Sequence, residues 1–112
     1  MDSNVYEKVN LIKAVHGITT PGTAYYKWGQ TITPDENTSY LTVYVSIGTA
    51  AAFGIERTIS TTVATEYMNA LSNLNADAAY MFTFPATVGE SIDFLTGSAT
   101  AITVNSLYVY EG

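Results

Sequence analysis

Cysteine is absent from the 112 residues, and with it go disulfide frameworks, thiolate metal sites and cysteine nucleophiles. Basic residues are almost as scarce: four Lys and Arg stand against ten Asp and Glu, a formal charge of −6. Such a chain has no basic patch to displace counterions from a phosphate backbone, which argues against nucleic acid as a partner. Histidine is limited to His16. A hydrolytic triad would have to be built on that one imidazole, which lies in an apolar stretch beside Gly17, so it reads as a partly exposed strand-end or helix-end residue without a catalytic role. No run approaches the roughly eighteen apolar residues of a membrane span, and Met1-Asp2-Ser3-Asn4 lacks the basic start and apolar core of a secretory signal. Neither membrane insertion nor signal-directed export is expected.

Charged residues make up 12% of the chain while apolar residues reach 47%, so Thr, Ser, Asn, Gly and nine Tyr must cover much of the surface. That palette suits exposed strand faces and protein contact surfaces. The length fits a single domain spanning 1–112 with one core.

The chain alternates with a period of two. Leu41, Val43, Val45 and Ile47 share one face of a strand and Thr42, Tyr44 and Ser46 the other. Tyr80, Phe82 and Phe84 form a second apolar face that ends at Pro85, which has no N–H for a ladder. Ser91-Ile92-Asp93-Phe94 predicts a short strand with Ile92 and Phe94 inward and Asp93 outward. Ile102 and Val104 alternate, then Leu107 and Val109 resume one residue out of phase, which predicts a bulge at Asn105-Ser106. Ala24-Tyr25-Tyr26-Lys27-Trp28 reads as a strand between Pro21-Gly22 and Gly29, and Thr31-Ile32-Thr33 leads into a polar loop at 34–39.

Two stretches fit both periods. Val5, Val9, Leu11 and Val15 suit a strand, while Val5, Val9, Ile12 and His16 suit a helix capped by Ser3 and ended by Gly17; the strand is preferred. In 63–74 a helical stripe competes with the β propensity of Thr61 to Thr65, and a strand followed by a loop or single turn is expected. Seven to eight short strands with at most one short helix give an all-β fold, a two-sheet antiparallel sandwich of jelly-roll type. Residues 1–17 are either its first strand or an arm reaching a neighbour.

Carboxylates offer little chemistry in this pattern. Asp35 and Glu36 sit in a polar turn and Glu90 and Asp93 read as exposed turn and strand residues, so neither pair is expected to act as an acid and base. The loop from Asp35 to Ser39 has several oxygens but not the spacing of a calcium loop. No phosphate loop, metal cluster or cofactor fingerprint is present. Aromatic residues are the positive signal: Tyr25, Tyr26, Trp28, Tyr40, Tyr44, Tyr108 and Tyr110 exceed what one core can bury on these strand phases, and all of them but Tyr40 are candidate residues for a subunit interface or for stacking on a ligand.

The segments Tyr80-Met81-Phe82-Thr83-Phe84-Pro85 and Val88-Gly89-Glu90-Ser91-Ile92-Asp93-Phe94 resemble the closing strands of small jelly-roll modules in phage head-decoration, fibre and baseplate proteins. The resemblance covers about a third of the chain. It implies a non-enzymatic virion component, often trimeric, made in the host cytoplasm and working through protein contacts as a homo-oligomer within a larger assembly. The alternative is an extracellular carbohydrate-binding module in which Trp28, Tyr25 and Tyr26 stack on sugar rings.

Overall fold

The computed structural model describes residues 10–22 and 25–112. The described residues form eight strands: β1 (Asn10–Thr19), β2 (Tyr26–Lys27), β3 (Tyr40–Ile47), β4 (Ala52–Ile59), β5 (Thr62–Tyr67), β6 (Tyr80–Pro85), β7 (Glu90–Gly97) and β8 (Thr103–Glu111). They pair antiparallel into two four-stranded sheets, ordered β1-β8-β3-β6 and β2-β7-β4-β5. Consecutive strands mostly cross from one sheet to the other, and this order is that of a jelly roll.

The core follows from the period of two. Leu41, Val43, Val45 and Ile47 of β3 and Val104, Leu107 and Val109 of β8 are buried from one side, and Phe53, Ile55, Ile92 and Phe94 from the other. Phe53 stacks on Phe82 across the sheets (centroids 5.9 Å) and on Phe94 within its own sheet (6.2 Å). Such offset aromatic contacts add to the area they bury.

The expected bulge is present. Ser46 pairs with Ser106 and Ile47 with Val104, leaving Asn105 as the extra residue of β8 against β3. Its amide donates to Ser46 Oγ (3.2 Å) and Asp77 Oδ1 (2.9 Å), which anchors the residue the ladder leaves out. Gly17 lies between the pairs His16/Ser106 and Ile18/Val104 with φ +66°, a conformation that glycine adopts without steric penalty.

The preferred strand at 5–16 is realised from Asn10 onward; Val5 and Val9, and the arm question for the first residues, lie outside the described part. The 63–74 stretch is a strand, β5, followed by a single turn at Asn69–Leu71. All three turn residues have positive φ (56°, 50° and 69°), and the Asn69 amide donates to the carbonyls of Ser72 and Asn73.

Two expectations need correction. The strand predicted at 24–28 is only the two-residue β2: Tyr25 has φ 57°, and Trp28 lies past its end although its N–H still donates to the Phe94 carbonyl of β7 (2.8 Å); Ala24 lies outside the described residues. The other correction is β4, a central strand that the alternation does not announce. Gly54 and Glu56 stand between its inward residues, and the inward phase Phe53, Ile55, Arg57 carries a charge.

Candidate binding surface

The outer face of the β1-β8-β3-β6 sheet gathers tyrosines from two adjacent strands, β3 and β8. The bulge at Asn105 sets the phase of β8 so that Tyr108 and Tyr110 face away from Leu107 and Val109, and β3 turns Tyr40, Thr42 and Tyr44 the same way. Register then makes them neighbours. Tyr44 lies opposite Tyr108 on one side and Met81 on the other, and Thr42 lies between Tyr110 and Thr83. Tyr44 and Tyr110 meet edge to face at 5.6 Å, and Tyr108 meets His16 of β1 the same way at 5.1 Å. Thr42 and Thr83 share a hydrogen bond of 3.0 Å.

The tyrosines, the two threonines and Met81 line an open groove of about 740 Å³, within the usual size range of ligand sites. Ala79, Ser106 and Tyr80 complete its wall, and no lining residue is acidic or basic. The Tyr80 hydroxyl accepts from the Asn75 N–H at 2.8 Å. Those of Tyr44, Tyr108 and Tyr110 have no hydrogen-bond partner among the described residues.

Of the six aromatic residues singled out in the sequence, Tyr44, Tyr108 and Tyr110 are thus brought together, and the other three lie elsewhere. Tyr25 and Tyr26 are exposed, 59% and 54%, at the β2 end of the second sheet. Tyr25 packs edge to face on Tyr67 (5.8 Å), and burial, then the nearby Tyr25, pushes the Tyr67 hydroxyl above its ordinary pKa. Two glycines make room for the pair: a Cβ on Gly97 would stand 2.6 Å from Tyr25 Cε1, and one on Gly54 would stand 3.1 Å from Tyr67 Cδ1.

Trp28 corrects the expectation of an exposed stacking platform. It is 6% exposed, tilted against Phe53 (5.4 Å), and its indole N–H donates to Thr96 Oγ1 (3.3 Å). The apolar area of an indole and a satisfied N–H together favour the core.

The carboxylates also differ from expectation. Asp93 is buried, accepting from the Gln30 N–H (3.2 Å), Thr31 Oγ1 (3.1 Å) and its neighbour Phe94 N–H (2.7 Å), so it ties the 30–31 segment to β7. Glu90 is half-buried and pairs with Arg57 (2.6 Å). Asp35 and Glu36 are exposed as predicted; Asp35 Oδ1 accepts from the Asn37 N–H at 2.8 Å and closes the turn. Thr38, beside them, is buried and donates to Glu111 at 2.6 Å. Among the described residues no three His, Asp or Glu side chains converge as a metal site would require. His16 is exposed within β1, away from its end.

Tyr40, Met81 and Thr83 also belong to the groove; Tyr40 counts among the surplus aromatic residues of the sequence but not among its site candidates, and Met81 and Thr83 were not singled out. Their phase was legible: Tyr40 has the parity of Tyr44, and Met81 and Thr83 that of residues opposite Phe82. What the sequence does not show is that β3 lies between β8 and β6.

No protein-family model matches the chain, and no match is found among curated proteins. Among solved structures it is similar to the C-terminal domain of A223, a structural protein from Sulfolobus turreted icosahedral virus, with 22% identity and a TM-score of 0.54 over 93% of this chain and 98% of that one. It also aligns with 24% of the Clostridium thermocellum xylanase 10B CBM22-1-GH10 modules, at 9% identity and a TM-score of 0.46 over 93% of this chain. The first of these likenesses establishes a shared fold, traced from near one end of both chains to the other.

Proposed function

We propose that this protein is a non-enzymatic structural component of a virion, acting through contacts with copies of itself within a larger assembly. The observation that carries the reading is the jelly roll shared along nearly its whole length with a domain of a virus structural protein. The sheet edges give it a contact surface. Among the described strands, β2 is only two residues long, β6 ends on Pro85, and β1 carries Lys13 and a bulge at Ile12, all features that blunt an edge. The fourth edge, β5, is different: Thr62, Val63, Ala64 and Thr65 are exposed, uncharged and free of proline. An edge of that kind accepts another extended strand through its backbone, and the occupant proposed is a second copy of this chain.

Light scattering after size exclusion tests this on the full chain and on Val63→Lys. The wild type is expected to run as a multiple of the single-chain mass and the variant to lose it while keeping the same β spectrum. A single-chain mass for the wild type at every concentration would remove self-assembly.

A further inference from the structure

We infer that the tyrosine groove on the β1-β8-β3-β6 sheet is a binding site for a neutral glycan chain. This goes beyond the virion reading and does not rest on it.

The argument starts from charge. The chain carries −6 overall, yet every residue lining this groove is uncharged. No lining residue offers an ion pair to an anionic or a cationic ligand, and the surrounding negative field further disfavours anions. A neutral ligand loses nothing by this arrangement.

The surface is polar at its tips and apolar at its faces. Tyr44 is 44% exposed and its ring stands across from that of Tyr110. The hydroxyls of Tyr44, Tyr108 and Tyr110 are unpartnered among the described residues, and Thr42, Thr83 and Ser106 place short hydroxyls between the rings. A purely apolar ligand would leave the three phenol hydroxyls unpaired on binding, at a cost for each one desolvated. A pyranose chain meets both requirements, since its C–H faces lie on aromatic rings and its hydroxyls exchange hydrogen bonds with phenols and alcohols.

Shape points the same way. The groove is open and about 740 Å³, room for several linked rings laid along a rigid sheet. The side chains that hold it are anchored by the ladders of three strands, so little ordering remains to be done on binding.

The test is a microarray of neutral and acidic glycans, followed by calorimetry of the neutral oligosaccharides that bind, on the wild type, Tyr44→Ala, Tyr108→Ala, Tyr44→Phe and Val63→Lys. Neutral glycans alone should bind. Tyr44→Ala and Tyr108→Ala should each weaken binding about tenfold or more, Tyr44→Phe should stay within a few-fold, and Val63→Lys should bind as the wild type does. Circular dichroism confirms that each variant is folded. The inference is overturned if no neutral glycan binds at millimolar concentration, if only acidic glycans bind, or if both alanine variants bind unchanged. A change of oligomeric mass in Tyr44→Ala without any glycan binding would make the groove a protein contact and overturn it too. Self-assembly is read from the wild-type mass, so the two proposals fail separately.

Discussion

Arg57 of β4 reaches Pro85 of β6, its guanidinium donating to the Pro85 carbonyl at 2.9 Å, and so joins the two sheets at one end of the sandwich. The same side chain pairs with Glu66 on one neighbouring strand (2.7 Å) and Glu90 on the other (2.6 Å), and lies over the ring of Phe84. An inward-facing charge on a central strand is tolerated because its donors are met by carboxylates and a carbonyl.

Arg57→Ala should therefore destabilise the fold by about 2 kcal/mol, since it leaves the half-buried Glu90 without its cation. Urea unfolding measures it. Arg57→Met combined with Glu90→Gln should recover part of the loss; a single variant as stable as the wild type would show that the link between the sheets contributes nothing.

Acid should expose the same cluster. The hydrogen bond from Arg57, ahead of their charge attraction, holds the Glu66 carboxyl below its ordinary 4.5. A carboxyl lowered in the folded state binds fewer protons than in the unfolded chain, so its contribution is complete above that ordinary value and is lost as pH falls through the folded pKa. Urea midpoints taken from about pH 6 downward should fall more steeply below pH 4.5 in the wild type than in Glu66→Gln. Parallel curves would count against this.

The two glycines under Tyr25 and Tyr67 should differ in cost. A Cβ on Gly54 would stand 2.6 Å from the Glu66 carbonyl oxygen, and backbone on a paired strand does not give way, so Gly54→Ala should lose about 2 kcal/mol or more. On Gly97 the obstacle is the exposed Tyr25 ring, which can swing aside, and Gly97→Ala should cost under about 1 kcal/mol. Thermal unfolding of the pair decides, and equal losses would contradict the distinction.

Trp28→Ala should be a stability variant. Removing a buried indole and its contacts with Phe53 and Phe94 is expected to cost about 3–5 kcal/mol. Tyr26→Ala, at a position 54% exposed, should cost under about 1 kcal/mol. Loss of near-ultraviolet dichroism and of the unfolding transition in the first variant, with the second unchanged, is the expected result.

The sequence by itself determined the β class, the inward phases of β3, β6 and β8, and the bulge at Asn105, because side chains in a strand alternate locally whatever the strand pairs with. Outward tyrosines at 44, 108 and 110 followed from the same rule. Only the tertiary structure placed β3 between β8 and β6 and so turned three separate tyrosines into one groove, since pairing depends on residues distant in the chain. It also decided the fates of Trp28 and Asp93. Alternation tells which way a side chain points but not what lies above it, and the segment from Trp28 to Ile32 runs along β7, whose Thr96 supplies a hydroxyl for the indole while Gln30 and Thr31 supply donors for the Asp93 carboxylate. For β4 the local signal failed outright: a glycine, a glutamate and an inward arginine hid a strand whose arginine is answered by Glu66, Glu90 and the carbonyl of Pro85.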